Sequence, residues 1–89
     1  MYGSRISEEL QRKLTKLCRK DKSLYEQVLR KIGEVINSGE VEHYKNLRYN
    51  VKDSKRTHIG HFVLIFQYDQ KSNTVNFDDF DHHDKIYGK

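Results

Sequence analysis

The histidines of this chain are confined to its later part. None of the five precedes residue 43, and they are His43, His58, His61, His82 and His83. Histidine titrates near neutral pH, so a group of histidines offers a proton acceptor and a proton donor without a metal. Cleavage of RNA by its own 2′-hydroxyl needs an acid, a base and a cation for the phosphate, but no nucleophile from the protein. The histidines suit that reaction, although a single histidine is more often a hydrogen-bonded surface residue.

A basic segment surrounds the first histidines. Residues 41–61 carry five lysines and arginines against two acidic residues, whereas residues 62–89 carry three against five. Lysine and arginine neutralise phosphates, and the interleaved Tyr44 and Tyr49 can stack on unpaired bases. The segment therefore indicates a nucleic-acid partner, with a solvated loop as the alternative interpretation. The candidate cations are Lys45, Arg48, Lys52, Lys55 and Arg56.

Residues 78–84 combine four aspartates with two histidines. Such a segment could hold a divalent metal, but its spacing matches no diagnostic ligand pattern. The alternatives are a solvated acidic end or ion pairs with the basic segment. The sequence contains no glycine-rich phosphate loop, no HExxH and no Ser/His/Asp order. Nucleotide-driven chemistry and zinc proteolysis therefore have no support, and we expect no cofactor.

Length and composition are typical of one small basic domain, residues 1–89, with 34% charged residues and a net charge of +4. The longest apolar run, residues 62–66, is far shorter than the ~20 residues that span a bilayer. The N-terminus lacks the apolar segment of a signal peptide, which indicates a cytoplasmic protein. Cys18 is the single cysteine and falls on an apolar helix stripe, so we expect it in the core.

Two amphipathic helices are predicted in the first half, because apolar residues recur there at spacings of three and four. Ser7 is the expected N-cap of the first helix. Ser23 and Glu26 form a capping box for the second helix, which residues 37–39 should end. With so short a link, the two helices should pack as an antiparallel hairpin.

Strand patterns follow the helices, and one short edge strand is predicted before them. Residues 40–56 show no periodicity and are predicted to form a loop. Residues 61–68 are apolar on both faces, so this strand should be central, and residues 70–73 should form a turn. The predicted fold class is α+β, with the N-terminal strand and the helical hairpin packed on a small antiparallel sheet. The predicted strands are residues 2–6, 57–59, 61–68 and 74–80.

Two stretches resemble a known family. The run KRTHIGHFVLIF at residues 55–66 and the ending HHDKIY at residues 82–87 resemble the RelE/ParE superfamily of toxins. Within it they are most similar to RelE and YafQ-type messenger-RNA interferases of type II toxin–antitoxin modules. The resemblance implies a RelE-like fold and ribosome-dependent cleavage of messenger RNA in the A site without metal. The expected products carry a 2′,3′-cyclic phosphate and a 5′-hydroxyl. The implied partners are the ribosome and a cognate RelB-like antitoxin.

The resemblance also implies site residues. His43, His58 and His83 match histidines of the YafQ-type branch, and Tyr87 takes its terminal aromatic position. His61 stands near that branch's catalytic aspartate, after a one-residue gap, and Val63 stands where many RelE members have an arginine. We expect His83 to be the general acid, His58 or His61 the general base, and Tyr87 an orienting or stacking residue. The residues expected to bind RNA are His43, Lys45, Arg48, Lys52, Lys55 and Arg56.

Two further interpretations stay open. The departures at His61 and Val63 are compatible with a catalytically weak or inactive module that binds RNA or the ribosome through the same fold. The Asp/His-rich residues 78–84 are compatible with a metal-binding structural domain.

Overall fold

The fold was obtained as a computed structural model, which describes residues 2–38 and 54–87, with Tyr87 described by its backbone alone. The predicted RNA-binding residues His43, Lys45, Arg48 and Lys52 lie outside the described residues. The elements in chain order are β1 (Gly3–Ile6), α1 (Glu8–Lys20), α2 (Lys22–Asn37), β2 (Ser54–Ile59), β3 (Phe62–Asp69), β4 (Thr74–His82) and α3 (His83–Tyr87).

The four strands form one sheet in the order β1-β4-β3-β2. Strands β2, β3 and β4 pair antiparallel, as predicted, and β3 is central. Strand β1 lies at the edge, also as predicted, but it pairs parallel to β4 and makes the sheet mixed. The predicted α+β class is confirmed. Two strands are longer than expected, because Ser54–Arg56 belong to β2 and Asp81 and His82 to β4.

Helix α1 begins where its cap predicts. The hydroxyl oxygen of Ser7 accepts the backbone N–H of Leu10 at 3.0 Å and also donates to the carbonyl oxygen of Asp78 at 2.6 Å, which ties the helix start to β4. Leu10 and Leu14 are buried. Cys18 is exposed, and the prediction that it lies in the core was wrong. It lies in the last turn of α1 and lines a cleft between the two helices.

Helix α2 begins earlier than the sequence suggested. Its N-cap is Asp21, whose carboxylate accepts the backbone N–H of Leu24 at 3.1 Å, so the predicted capping box at Ser23 and Glu26 was wrong. The backbone N–H of Asp21 also donates to the carbonyl of Leu17 at 2.8 Å. One residue therefore ends α1 and starts α2. Helix α2 ends at Asn37 with Ser38 as its cap, as predicted.

The core lies between the helical hairpin and one face of the sheet. Fully burying each large apolar side chain contributes roughly 1.5–3 kcal/mol, so this layer is the main source of stability. The helices contribute Leu10, Leu14, Val28, Ile32 and Val35, and the strands contribute Ile59, Leu64, Phe66, Val75, Phe77 and Phe80.

The later half of β4 extends beyond its partner β1, which pairs only with Thr74–Phe77. There, side chains bind backbone groups of the strand. Lys13 donates through Nζ to the carbonyl oxygen of Phe80 at 3.2 Å. The carboxylates of Asp79 and Asp81 accept the backbone N–H groups of Phe80 and His82, each at 2.8 Å. Lys13 also bridges the two carboxylates, at 2.7 and 3.0 Å. We call Lys13, Asp79 and Asp81 the edge clasp.

Candidate active site

A tight turn brings the histidines to one end of the sheet. Only two residues, Gly60 and His61, join β2 to β3, and Gly60 has φ of 61°, as a two-residue hairpin with glycine first requires. The end of β4 lies beside this turn, because His82 pairs with Phe62 in the register. The backbone N–H of His83 donates to the carbonyl of His61 at 2.7 Å. We call this the histidine end of the sheet.

Four histidines of the described residues meet there as two ring pairs. The ring centroids of His58 and His83 lie 5.6 Å apart, with the rings 27° from parallel. Those of His61 and His82 lie 6.2 Å apart, 15° from parallel. The structure therefore brings the predicted site residues His58 and His83 together. It places the third, His61, against His82, which had not been assigned to the site.

The two pairs belong to different faces of the sheet. Residues directly opposite in a sheet share a face, and His58 is in register with Val63 and Asp81. Ile59, Phe62 and His82 make the next row, whose side chains belong to the face that the helices cover. The His58–His83 pair is thus the one on the side of the sheet away from the helical hairpin. His58 and His83 are both exposed, so solvent and a ligand can reach them.

Asp84 contacts one histidine of each pair. Its backbone N–H donates to Nδ1 of His82 at 3.2 Å. The carboxylate of Asp84 lies 3.8 Å from Nδ1 of both His82 and His83. Protonated His83 would therefore have a nearby counter-charge.

The edge clasp holds the backbone that leads into His82 and His83. Burial lowers the pKa of Lys13, but the hydrogen bonds and charges of Asp79 and Asp81 outweigh it and raise the pKa above the ordinary lysine value. For Asp81, burial alone would raise the pKa. The hydrogen bonds from Lys13 and from the His82 backbone outweigh burial, together with the charges of Lys13 and Lys85, and bring the pKa of Asp81 below its usual range. The clasp is therefore charged on both sides at neutral pH.

The two predicted RNA-binding cations within the described residues lie on opposite faces of β2. Arg56 is in register with Ile65 and shares the face of His58, two residues on. Lys55 is in register with Phe66 and belongs to the other face. Both are half-buried. Of these two cations, Arg56 is the one that shares a face with the His58–His83 pair.

The last predicted site residue is Tyr87, which ends α3; its side chain lies outside the part of the chain that the structure describes.

Within residues 2–38 and 54–87, no group of three or more histidines, cysteines and acidic residues is arranged to hold a metal ion. No helix in these same ranges is long and apolar enough to cross a membrane.

Sequence reasoning missed the edge clasp and the role of His82. Lys13 contacts residues 66 and 68 positions away, and no local periodicity reports contacts at that separation. The available signal was the alternation of Asp79, Phe80 and Asp81, which places the two carboxylates on one side of a strand. The contact of His82 with His61 had no signal in the sequence, because it depends on the strand register that sets His82 opposite Phe62.

A relative with 44% sequence identity assigns the family. A protein of Methanocaldococcus jannaschii named "Putative toxin RelE4" is 44% identical over 90 residues, which span 100% of this chain and 94% of that protein. The chain belongs to the RelE family of toxins. The resemblance seen in the sequence is therefore confirmed. No protein-family model matches the chain.

Solved structures confirm the RelE fold. A chain of the intact E. coli RelBE toxin–antitoxin complex superposes with a TM-score of 0.74 at 19% identity, over 92% of this chain and 96% of that one. A chain of the E. coli DinJ–YafQ complex superposes with a TM-score of 0.73 at 17% identity, over 99% of this chain and 100% of that one. At these identities the likeness concerns the fold.

Val63, which the sequence led us to expect at the position of an arginine in many RelE members, is completely buried, on the same face as His58 and Asp81. A guanidinium at this position would have to be desolvated or to displace its neighbours, which is costly without a paired charge.

Proposed function

We propose that this RelE-family protein is a ribosome-dependent messenger-RNA endoribonuclease, the toxin of a type II toxin–antitoxin module. The observation that carries the proposal is the His58–His83 pair, with ring centroids 5.6 Å apart on an exposed part of the sheet. Two histidines side by side offer a proton acceptor and a proton donor, the two groups that paired acid/base catalysis needs.

In the proposed reaction the RNA supplies its own nucleophile. A histidine base, His58 or His61, takes the proton of the 2′-hydroxyl, and that oxygen bonds to the adjacent phosphorus. The bond from phosphorus to the 5′-oxygen of the next nucleotide breaks, and His83 gives its proton to that oxygen. The products are a 2′,3′-cyclic phosphate and a 5′-hydroxyl. No metal and no cofactor enters the balance.

The remaining predicted residues complete the proposed site. Arg56, which shares a face of the sheet with His58, is proposed to offset charge on the phosphate. Lys55, His43, Lys45, Arg48 and Lys52 are proposed to bind the RNA backbone, and Tyr87 to orient or stack on a nucleotide. We further propose a RelB-like antitoxin as partner and the cytoplasm as location. The antitoxin is supported by the complexes in which the fold neighbours occur, RelBE and DinJ–YafQ.

The test is cleavage of a defined messenger RNA during translation in a reconstituted system. Wild-type protein should yield cuts with 5′-hydroxyl ends, mapped by primer extension. His83→Ala and His58→Ala should each lower the cleavage rate by about 10²–10⁴-fold, the usual contribution of a general acid or base. Lys71→Ala, in the exposed turn before β4, is the control and should cut normally. Intact messenger with active ribosomes and folded wild-type protein would contradict the proposal.

A second function is favoured by one observation, the complete burial of Val63 at the position of the family's arginine. Without that cation the chain would bind RNA or the ribosome and cut weakly or not at all. Salt-dependent sedimentation with ribosomes, in the absence of cut products, would select this function over the first.

A further inference from the structure

A second basic feature adjoins the His58–His83 pair. A cleft of about 270 Å³ lies between α2 and the β2–β3 turn. Helix α2 lines it with Gln27, Arg30, Lys31 and Glu34, and the turn lines it with His58, Ile59 and Gly60. His58 belongs to the edge strand β2, so it borders the cleft although its ring stacks on His83 on the face away from the helical hairpin. An extended ligand that passes round this edge of the sheet can contact both.

The charges of the cleft favour an anion. Lys31 and Glu34 form an ion pair, with Nζ and Oε1 3.1 Å apart, which leaves Arg30 as the uncompensated charge. Arg30 is exposed, and no ion pair or hydrogen bond to it is found among the described residues. The guanidinium offers several donors in a fixed fork that matches phosphate oxygens, and its side chain reaches the cleft without desolvation.

The turn leaves room for a ligand to approach the backbone. No heavy atom lies within 4 Å of where a Cβ would stand on Gly60. Gln27 adds an amide with both donor and acceptor capacity, which suits the edge of a base or a ribose hydroxyl. The cleft thus combines Arg30, which has no ion-pair partner within residues 2–38 and 54–87, with one polar amide and an open backbone beside His58.

We propose that this cleft is a subsite for a phosphate of the RNA strand next to the phosphate held at His58 and His83, with Arg30 as its binding residue and Glu34 as a residue that limits its affinity. This inference rests on the proposed function for the identity of the strand. It is tested by binding, and the proposed function by cleavage, so either can fail alone.

The experiment measures binding of a short single-stranded RNA whose 2′-oxygens are methylated, so that it cannot be cut. Arg30→Ala should raise Kd about 3- to 5-fold, the range for one exposed charge contact. It should also reduce the slope of log K against log salt by about 0.7, the value for one phosphate on a single strand. The Kd of Arg30→Lys should lie between those of the wild type and Arg30→Ala, because lysine keeps the positive charge but lacks the forked guanidinium donors. Arg12→Ala removes the same charge from exposed α1 and is the matched control.

Glu34 supplies a test of opposite sign. Glu34→Gln should tighten binding, because it removes a negative charge and releases Lys31 from its ion pair. Glu26→Gln, exposed on the same helix and outside the cleft, is the control and should have a smaller effect.

Equal losses for Arg30→Ala and Arg12→Ala, or no RNA binding by the wild type, would overturn the subsite. Competition by poly-L-glutamate that depends on Arg30 as strongly as RNA binding does would also overturn it, by assigning the cleft to acidic peptides. Binding that depends on Arg30 in a protein that never cuts RNA would support the subsite and contradict the proposed function.

Discussion

His58 on β2 and His83 at the start of α3 stack with their ring centroids 5.6 Å apart. Both side chains are exposed, and the pair lies on the face of the sheet away from the helical hairpin. A base and an acid this close together can act on the two oxygens that flank one phosphorus, as the proposed cleavage requires.

The first prediction concerns the pH dependence of cleavage under the proposed function. Wild-type protein should show a bell-shaped dependence of the cleavage rate on pH. The proposed base His58 must be unprotonated to act, and the proposed acid His83 must be protonated. Both variants should cleave more slowly than the wild type. In addition, His58→Ala should flatten the acidic limb of the pH–rate profile, and His83→Ala should flatten its alkaline limb. Quenched time courses across pH, with the messenger saturating, provide the measurement. Unchanged limbs in both variants would exclude the pair as the acid and base.

The edge clasp should contribute to stability. Lys13 is 30% exposed at its side chain and binds two carboxylates and a carbonyl, so Lys13→Ala should cost about 1–2 kcal/mol of the free energy of unfolding. Lys16→Ala, on the exposed side of the same helix, should change it by less than about 0.5 kcal/mol. Urea unfolding followed by circular dichroism measures both, and similar values for the two variants would contradict the prediction.

Asp81 should make the protein sensitive to acid. Its pKa is lowered in the folded state, because the bonds from Lys13 and the His82 backbone outweigh burial. Its stabilising contribution is therefore complete above the usual carboxyl pKa of about 3.9 and is lost as the pH falls through the lower folded value. Asp81→Asn should lower stability at pH 7 and reduce the further loss in acid. A wild type and variant that lose stability in parallel below pH 4 would contradict this role.

Asp78 should behave in the opposite way. Burial and the neighbouring charge of Asp79 raise its pKa, so its ionised form is disfavoured in the folded protein. Its contribution is favourable at low pH and is lost as the pH rises through the folded value. Asp78→Asn should therefore leave stability at pH 7 unchanged or raise it by less than about 1 kcal/mol, since solvent screens this half-exposed group. Glu26→Gln is the control in the same unfolding assay, and a clear loss of stability in Asp78→Asn would contradict the sign.

Two glycines should respond oppositely to alanine. Gly60 has φ of 61°, which alanine adopts at a cost of roughly 1–2 kcal/mol, so Gly60→Ala should destabilise by that amount. Gly33 lies inside α2 with no atom within 4 Å of a new Cβ, so Gly33→Ala should stabilise by about 0.5–1 kcal/mol. Melting temperatures of the two variants give the comparison, and the same direction of change in both would refute it.

The sequence was most informative where structure is local. The periodicity of apolar residues predicted both helices, and Ser7 was identified as a cap because capping needs only the next three residues. The start of α2 was misplaced because Asp21 and Ser23 are both good caps, and the choice depends on how α1 ends. Alternation also identified β3 as the central strand.

The features that sequence could not predict depend on long-range packing. The parallel direction of β1 concerns its pairing with β4, at the other end of the sequence, which no local pattern records. The exposure of Cys18 likewise depends on the packing of the helices against the rest of the fold. For the site, histidine chemistry could be predicted from residue types, whereas the partners His58–His83 and His61–His82 depend on strand register at the end of β4.

The edge clasp also bears on how copies of the chain meet at high concentration. A strand of another molecule can extend a sheet only where backbone N–H and C=O groups are open to it. Along the later half of β4, Asp79 and Asp81 already bind two of the N–H groups and Lys13 binds a carbonyl. An incoming strand would have to displace three charged side chains from this stretch. This half of β4 is therefore a poor template for intermolecular strand pairing and for the aggregation that begins with it.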